Sequence, residues 1–314
     1  MHCYNKYIKT IERLEFTITN TCTGKCRHCS QGDLPGNKKI DEDKAVEALK
    51  DIASCYNVKS IMTFGGEALL YPEIVCAIHK KASEYNIPNR QLITNGCFSK
   101  NEERIVEVAK KLNDSGVNDI LLSVDCFHAE FLPLKLVYCF ARALCENYGG
   151  RLRLQPTWVK DKSDDNIYNT RTKECLAFFD ELHIERNDGD SMFPSGNAVK
   201  YLSEYFDKKP LNMNFKCGDE LYTTRLDMVS ELSVDYNGDV FACSFPIGNI
   251  MDSSILEIIS EYNPYKNMYT KALLERGISG MIRVAKNNGV AIDVSDYYSP
   301  CEVCRAISGA TGKN

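Results

Sequence analysis

The stretch Arg13-Leu-Glu-Phe-Thr-Ile-Thr-Asn-Thr-Cys22-Thr-Gly-Lys-Cys26-Arg-His-Cys29 decides how the rest of the chain is read. Leu14, Phe16 and Ile18 alternate with polar neighbours, the period-2 signature of a strand that ends near Thr19. Directly after it come three thiols, Cys22, Cys26 and Cys29, at spacings of four and three. In so short a loop the three sulfurs can face one point. Three thiolates are one fewer than usually close an Fe–S cubane, so a cubane held here keeps one iron open for a further ligand, the feature that separates catalytic from closed metal sites.

Working outward, hydrophobic spacing predicts an alternation of helices and strands. Val46, Leu49, Ile52, Ala53 and Tyr56 recur at helical spacing after the acidic opening at Asp41, which suits a helix N-terminus. A strand follows over Val58 to Phe64. Pro72 opens a second helix with Ile74, Val75, Ile78 and Ala82 on one face, and Gln91 to Thr94 is the next strand. Further helices are expected over Asn101 to Asn113, Leu134 to Asn147 and Asp165 to Phe179. Further strands are expected over Ile120 to Val124, Leu152 to Val159 and Leu182 to Glu185. Strands separated by helices of this length require a parallel sheet with right-handed crossovers, so the fold class is α/β. Periodicity leaves open whether the units curl into a partial barrel or lie as an open doubly wound sheet. In both, the functional loops sit at the carboxyl ends of the strands.

Beyond about residue 190 the pattern changes. Glu231 to Asp235 and Asp239 to Cys243 read as short strands joined through Asn237-Gly238, a dipeptide that favours a tight hairpin turn. Helical spacing returns over Ile255 to Tyr262 and Tyr265 to Asn287, with Pro264 between them and Gly277 and Gly280 weakening the second. The expected division is a core over 1–195 and a smaller α+β unit over 196–314. Cys217, Cys243, Cys301 and Cys304 lie in the second unit. Four thiols close either a tetrahedral zinc site or a fully ligated cubane, and composition does not separate the two.

Composition sets the outer bounds. With 314 residues, 38 basic and 43 acidic, and a 44% hydrophobic share, the chain can bury a real core, which excludes disorder, collagen and coiled coil. A formal charge of −5 offers no broad basic footprint for nucleic acid. No apolar run approaches the roughly 20 residues that cross a bilayer, and Met1 to Thr10 lacks a signal-peptide core. These features place the protein in the cytoplasm, with no membrane or nucleic-acid partner. Fifteen cysteines, an odd number, in a reducing compartment argue for metal or cluster ligation over a disulfide framework.

A C-x3-C-x2-C loop after the first strand of six β/α units resembles the radical S-adenosylmethionine (SAM) superfamily. Further positions agree with the resemblance. Gly65-Gly66-Glu67 resembles the segment that binds the methionine amino group of SAM. Thr94-Asn95-Gly96 ends the third strand as in many members, Ser123-Val124-Asp125 resembles a segment beside the ribose, and His28 stands where members often place an aromatic next to the adenine. The resemblance implies a partial (β/α)6 barrel and a [4Fe–4S] cluster on Cys22, Cys26 and Cys29 with SAM as cosubstrate. It also implies a small electron donor such as flavodoxin or ferredoxin. One-electron cleavage of SAM to a 5′-deoxyadenosyl radical then abstracts a hydrogen atom from a peptide or small-molecule substrate. The C-terminal quartet is similar to the SPASM and twitch modules, which implies a second, auxiliary [4Fe–4S] cluster; the 25 residues between Cys217 and Cys243 exceed the usual spacing there. Zinc on the triplet with His28 as fourth ligand, in a binding protein without redox activity, is the alternative from another class.

For substrate chemistry, His128 is a candidate base, since an unperturbed imidazole titrates near neutrality. Cys126, and also Cys97, follow strands and are candidate hydrogen-atom donors, as in radical SAM epimerases. An auxiliary cluster instead points to oxidation or cross-linking. Arg153 and Gln155 lie on the fifth strand with unassigned facing. Phe193-Pro194-Ser195-Gly196-Asn197-Ala198 resembles a Gly-Arg-Ala-like segment of the same enzymes, with Asn197 where Arg is common.

Overall fold

The structure, a computed structural model, describes residues 4–34, 36–219 and 224–311. Its central strand is the one that opens the sequence argument. β1 (Arg13–Thr17) buries Leu14 and Phe16 completely, while Arg13, Glu15 and Thr17 stay partly exposed on the other face. Burying each such apolar side chain contributes about 1.5–3 kcal/mol. A one-residue slip would invert both faces, so β1 fixes the register of its neighbours.

β1 pairs in parallel with β2 (Ser60–Phe64), and the parallel series continues through β3 (Asn89–Thr94), β4 (Asp119–Ser123) and β5 (Arg151–Gln155). The crossovers carry α1 (Glu42–Cys55), α2 (Pro72–Glu84), α3 (Glu102–Asp114) and α5 (Leu134–Asn147), with the short α4 (Cys126–Ala129) between β4 and α5. Starts are set locally: Asp41 and Asn101 accept backbone N–H bonds at the heads of α1 and α3, and Pro72 occupies the first turn of α2. Ile52, Ile78, Val108, Phe140 and Leu144 from these helices join Leu14, Phe16, Leu92 and Ile120 in one core. The α/β fold with a mostly parallel, partial-barrel sheet is therefore the observed architecture.

Two expectations are corrected. The long fifth strand breaks at Pro156, which has no N–H for the ladder; β6 (Thr157–Trp158) pairs instead with β8 (Asp190–Ser191). The sixth strand, expected at Leu182 to Glu185, shrinks to β7 (Glu185–Arg186), because Asp180–Leu182 form a 3-10 turn and His183 takes a left-handed backbone (φ 50°). The C-terminal hairpin extends the same sheet: β9 (Glu231–Val234) lies parallel to β1, followed by antiparallel β10 (Asp239–Ala242) and β11 (Phe245–Asn249). The full order is β11-β10-β9-β1-β2-β3-β4-β5-β7. The strand β11 escaped sequence reading because Pro246 and Gly248 interrupt its pattern.

The remaining helices are α6 (Ile167–Ala177), α7 (Asn197–Leu202), α8 (Ile255–Glu261), α9 (Met268–Asn287) and α10 (Pro300–Thr311). In α9, Gly277 leaves helical geometry (φ 71°) because the carbonyl of Phe215 would lie 2.5 Å from any Cβ there. Among the described residues no helix is long and apolar enough to cross a membrane.

Candidate functional site

The hydrogen-bond ladder between β1 and β2 continues past the ends of both strands. Ile18 N–H donates to Phe64 O at 2.7 Å, Gly66 N–H to Thr19 O at 2.8 Å and Glu67 N–H to Thr21 O at 2.8 Å. This draws Gly65-Gly66-Glu67 against the chain that enters the cysteine loop, so closely that side chains are excluded. A Cβ on Gly65 would lie 2.7 Å from Thr19 O, and one on Gly66 2.1 Å from Thr21 O. The two glycines are there for backbone approach.

Glu67 is 1% exposed, and its carboxylate accepts bonds from Leu69 N (2.9 Å), Thr94 Oγ1 (2.6 Å) and Asn95 N (2.8 Å). Burial raises its pKa against the pull of those donors. It clamps the ends of β2 and β3 together. Asn95, thus placed, directs its amide at Thr23 Oγ1 (3.2 Å) and Cys22 Sγ (3.7 Å), while its Oδ1 accepts from Cys97 N (2.8 Å).

Cys22, Cys26 and Cys29 are free thiols. Burial pushes the Cys22 thiol up to about 11 and that of Cys26 higher still, and Cys26 also feels the charge of Cys22 and Cys29. Thiolates crowded in a half-buried loop need a cation among them. A metal cluster with net positive iron fits that requirement.

His28 packs its ring 4.9 Å from Phe127 and 4.8 Å from His128. Its Nδ1 is sealed from solvent without a partner, and burial pushes the imidazole down to about 4. Asp125, expected beside the ribose, is fully buried and committed to the protein. Oδ1 caps α4 by accepting from Phe127 N and His128 N, and Oδ2 meets His128 Nδ1 at 2.9 Å and Thr157 N at 3.3 Å. Burial opposes the ionised carboxylate, yet the His128 and His28 rings and these donors hold it down at about 2. Since a carboxylate only accepts, Nδ1 of His128 carries a proton toward Asp125, and in the neutral ring Nε2 is the acceptor. Burial lowers the His128 pKa, but Asp125 outweighs it and the net shift is upward. Cys26, His28 and His128 bring ligand atoms to within 4.8 Å of one another. Ser123, half-buried at the end of β4, sits in register with Gln155.

Cys126 packs against the same apolar cluster as Cys26, Cys29 and Phe127. Cys126 lines a cavity of about 360 Å³ between α4 and α6, together with Arg27, Tyr168 and Cys175, and burial pushes its thiol up to about 12. Cys97 is in the hydrophobic core. Arg153 makes a two-pronged pair with Asp119, and Gln155 donates to Asp190 Oδ2 at 2.7 Å. The C-terminal cysteines lie near enough to one another to interact electrostatically. Cys304, 8% exposed, feels Cys243, Cys217 and Cys301, and Cys217 Sγ accepts from Leu226 N at 3.4 Å. Cys243 is exposed on a left-handed backbone. Asn197, noted in the sequence only as part of a Gly-Arg-Ala-like segment and given no role, bonds the carbonyls of Cys29 and Cys26 through its N–H and Nδ2.

Residues 16–146 match the Radical SAM superfamily. The chain carries a radical SAM domain. A radical SAM enzyme uses a [4Fe–4S] cluster and SAM, and the free, charge-hungry thiols, the sealed His28 ring and the glycine cradle of this loop fit both. Among solved structures, Streptococcus suis SuiB bound to S-adenosylmethionine aligns over 96% of this chain and 79% of its own (TM-score 0.55, 16% identity). The enzyme anSMEcpe with bound AdoMet and a Cp18Cys peptide aligns over 80% of each chain (TM-score 0.51, 14% identity). These likenesses show the fold. Among curated relatives, the GTP 3′,8-cyclase of Lactiplantibacillus plantarum is 24% identical over 287 residues, 86% of this chain and 81% of that one. The probable GTP 3′,8-cyclase of Methanocaldococcus jannaschii is 29% identical over 127 residues, and this chain spans 40% of its length.

Proposed function

We propose that the protein is a two-cluster radical SAM oxidoreductase that takes a hydrogen atom from a peptide or small-molecule substrate, with oxidation or cross-linking as the outcome. The observation that supports this reading is the bracing of the Cys22–Cys26–Cys29 loop by Gly65, Gly66 and Glu67 at the carboxyl ends of the parallel strands. When bound there, the cluster and SAM supply the radical that breaks the substrate C–H bond. The chain's own residues do the rest. Glu67 and Asn95 set the position of Cys22, His28 and Phe127 wall off one side from water, and His128, oriented by Asp125, presents Nε2 as acceptor for a proton released from the substrate.

In this reading residues 196–314 form the auxiliary unit, and Cys217, Cys243, Cys301 and Cys304 hold a second cluster that accepts the second electron. Support comes from the charges of Cys243, Cys217 and Cys301, which together with burial raise the Cys304 thiol. The placement of Cys126 on the crevice beside α6 favours oxidation over epimerisation by a thiol donor. The reductant is a small flavodoxin or ferredoxin.

Metal analysis after anaerobic reconstitution tests the reading. About eight irons with matching sulfide per chain are expected. About four irons plus one zinc would keep the radical chemistry and remove the auxiliary electron acceptor; zinc alone would overturn the proposal. The similarity to GTP 3′,8-cyclases makes GTP the first small molecule to offer, with 5′-deoxyadenosine release as the readout.

A further inference from the structure

The cysteine loop is gripped on two sides. Gly65 to Glu67 hold its entry, and a segment near residue 196 holds its exit. The carbonyl of Cys29 accepts from Gly32 N at 3.1 Å and from Asn197 N at 2.9 Å; that of Cys26 accepts from Cys29 N at 3.2 Å and from Asn197 Nδ2 at 3.4 Å. Asn197 is 4% exposed. Gly196 adopts φ 58°, and a Cβ there would lie 2.6 Å from Ser30 O and from Gly32 N. Ser195 Oγ donates to Ser30 O at 3.2 Å, and Lys200 Nζ meets Asp33 Oδ2 at 2.9 Å. The backbone from Cys26 to Asp33 is thus fixed by residues 195–200.

That segment is itself tied to the C-terminal cysteines. Arg305, the residue after Cys304 on α10, donates from Nη1 to Ser195 Oγ at 3.2 Å and stacks its guanidinium 5.3 Å over the Phe193 ring. The geometry is consistent: the single hydroxyl proton of Ser195 goes to Ser30 O, which leaves its lone pairs for the arginine. One continuous relay therefore runs from the helix of Cys301 and Cys304, through Arg305 and Ser195, to the carbonyl next to Cys29.

We propose that Arg305 is a positioning residue for the N-terminal cysteine loop, transmitting the placement of α10 to Cys26 and Cys29 through Ser195 and Asn197. This rests on the reading that both cysteine sets hold clusters. Filling the second set fixes α10, and α10 in turn holds the first loop in its ligating shape.

Arg305 is exposed, so replacing it opens no hole in the core. The test uses the reconstituted full chain as wild type, Arg305→Ala, Arg305→Lys, Cys301→Ser/Cys304→Ser and the combination of Arg305→Ala with the two serines. Amide exchange over residues 26–33 and the electron-spin spectrum of the reduced first cluster are followed. Arg305→Ala is expected to speed exchange over 26–33 by about tenfold and shift the spectrum, and Arg305→Lys restores both. The double serine variant reproduces the alanine effect, and the combination adds nothing. Unchanged exchange in Arg305→Ala, or full additivity of the two lesions, overturns the proposal. If metal analysis finds no second metal in wild type, the two-cluster reading fails on its own, and the Arg305→Ala exchange rate still decides whether the tie exists.

Discussion

The two cysteine sites make opposite bargains with their backbones. At the first, glycine stands where no other residue fits: the Gly66 Cα lies so close to Thr21 O that even an alanine methyl would sit at 2.1 Å. At the second, a cysteine stands where glycine would be at ease, since Cys243 holds φ 53°, a conformation that costs a side chain about 1–2 kcal/mol. The first site lies at the ends of adjacent parallel strands and is defined by close backbone packing. The second is assembled from three distant pieces, the Cys217 loop, the β10–β11 turn and α10. The comparison teaches that strain is removed where the scaffold must be tight and tolerated where a sulfur is required.

The largest effect that would break this contrast is at Gly66. Gly66→Ala forces the backbone of β2 and the cysteine loop apart and should cost about 3 kcal/mol. Iron bound by the first site should be lost while metal at the second is retained. Denaturant midpoints and metal content per chain check both, and a variant with full iron would show that the glycine brace does not set the first site.

Acid separates the two sites next. His28 is pushed down from its ordinary 6.5 to about 4 and the fully buried His79, bonded to Thr63 Oγ1 at 2.9 Å, to about 3. For both, the unfolded chain binds the proton more readily, so the stability they contribute is fully present above pH 6.5 and falls as pH drops toward their folded values. His128, shifted upward, acts in the other window: its contribution is full below 6.5 and is lost as pH rises through its folded pKa. Metal-free protein should therefore lose up to about 3 kcal/mol per low-shifted histidine between pH 6.5 and 4. Replacing His28 with leucine should remove one such share, seen as a flatter pH dependence of the denaturation midpoint. The second site should not respond in this window, since burial pushes the Cys217 thiol up to about 11 and raises that of Cys304.

Much of the first site was legible because its chemistry is local. Three thiols within eight residues, and short motifs at the ends of β2 and β3, can be read without knowing how the chain folds. Asp125 was legible as a position and not as a role. Only the structure shows its carboxylate spent on capping α4 and holding His128. What sequence could not give is contact between distant segments: the parallel pairing of β9 with β1 across more than two hundred residues, and the grip of Asn197 on Cys26 and Cys29. Local patterns cannot report either. Pro156 and His183 illustrate the reverse failure, in which hydrophobic alternation outran the backbone that had to carry it.

The smallest effect sharpens the comparison most. If Cys243 is kept for its sulfur, Cys243→Gly should relieve the left-handed strain and stabilise the metal-free protein by about 1 kcal/mol, since the side chain is exposed and its loss removes only the weak 3.8 Å contact with Ser244 Oγ. The same change should empty the second metal site, because a quartet reduced to three thiols no longer closes its ligand shell. Stability and metal content would then move in opposite directions, whereas Gly66→Ala lowers both. Alanine at 243 distinguishes the two contributions: it keeps the strain and loses the sulfur, so it should leave metal-free stability near wild type while also emptying the site. A glycine variant no more stable than the alanine one would show that the turn at 243 is set by its neighbours and that the cysteine carries no backbone cost.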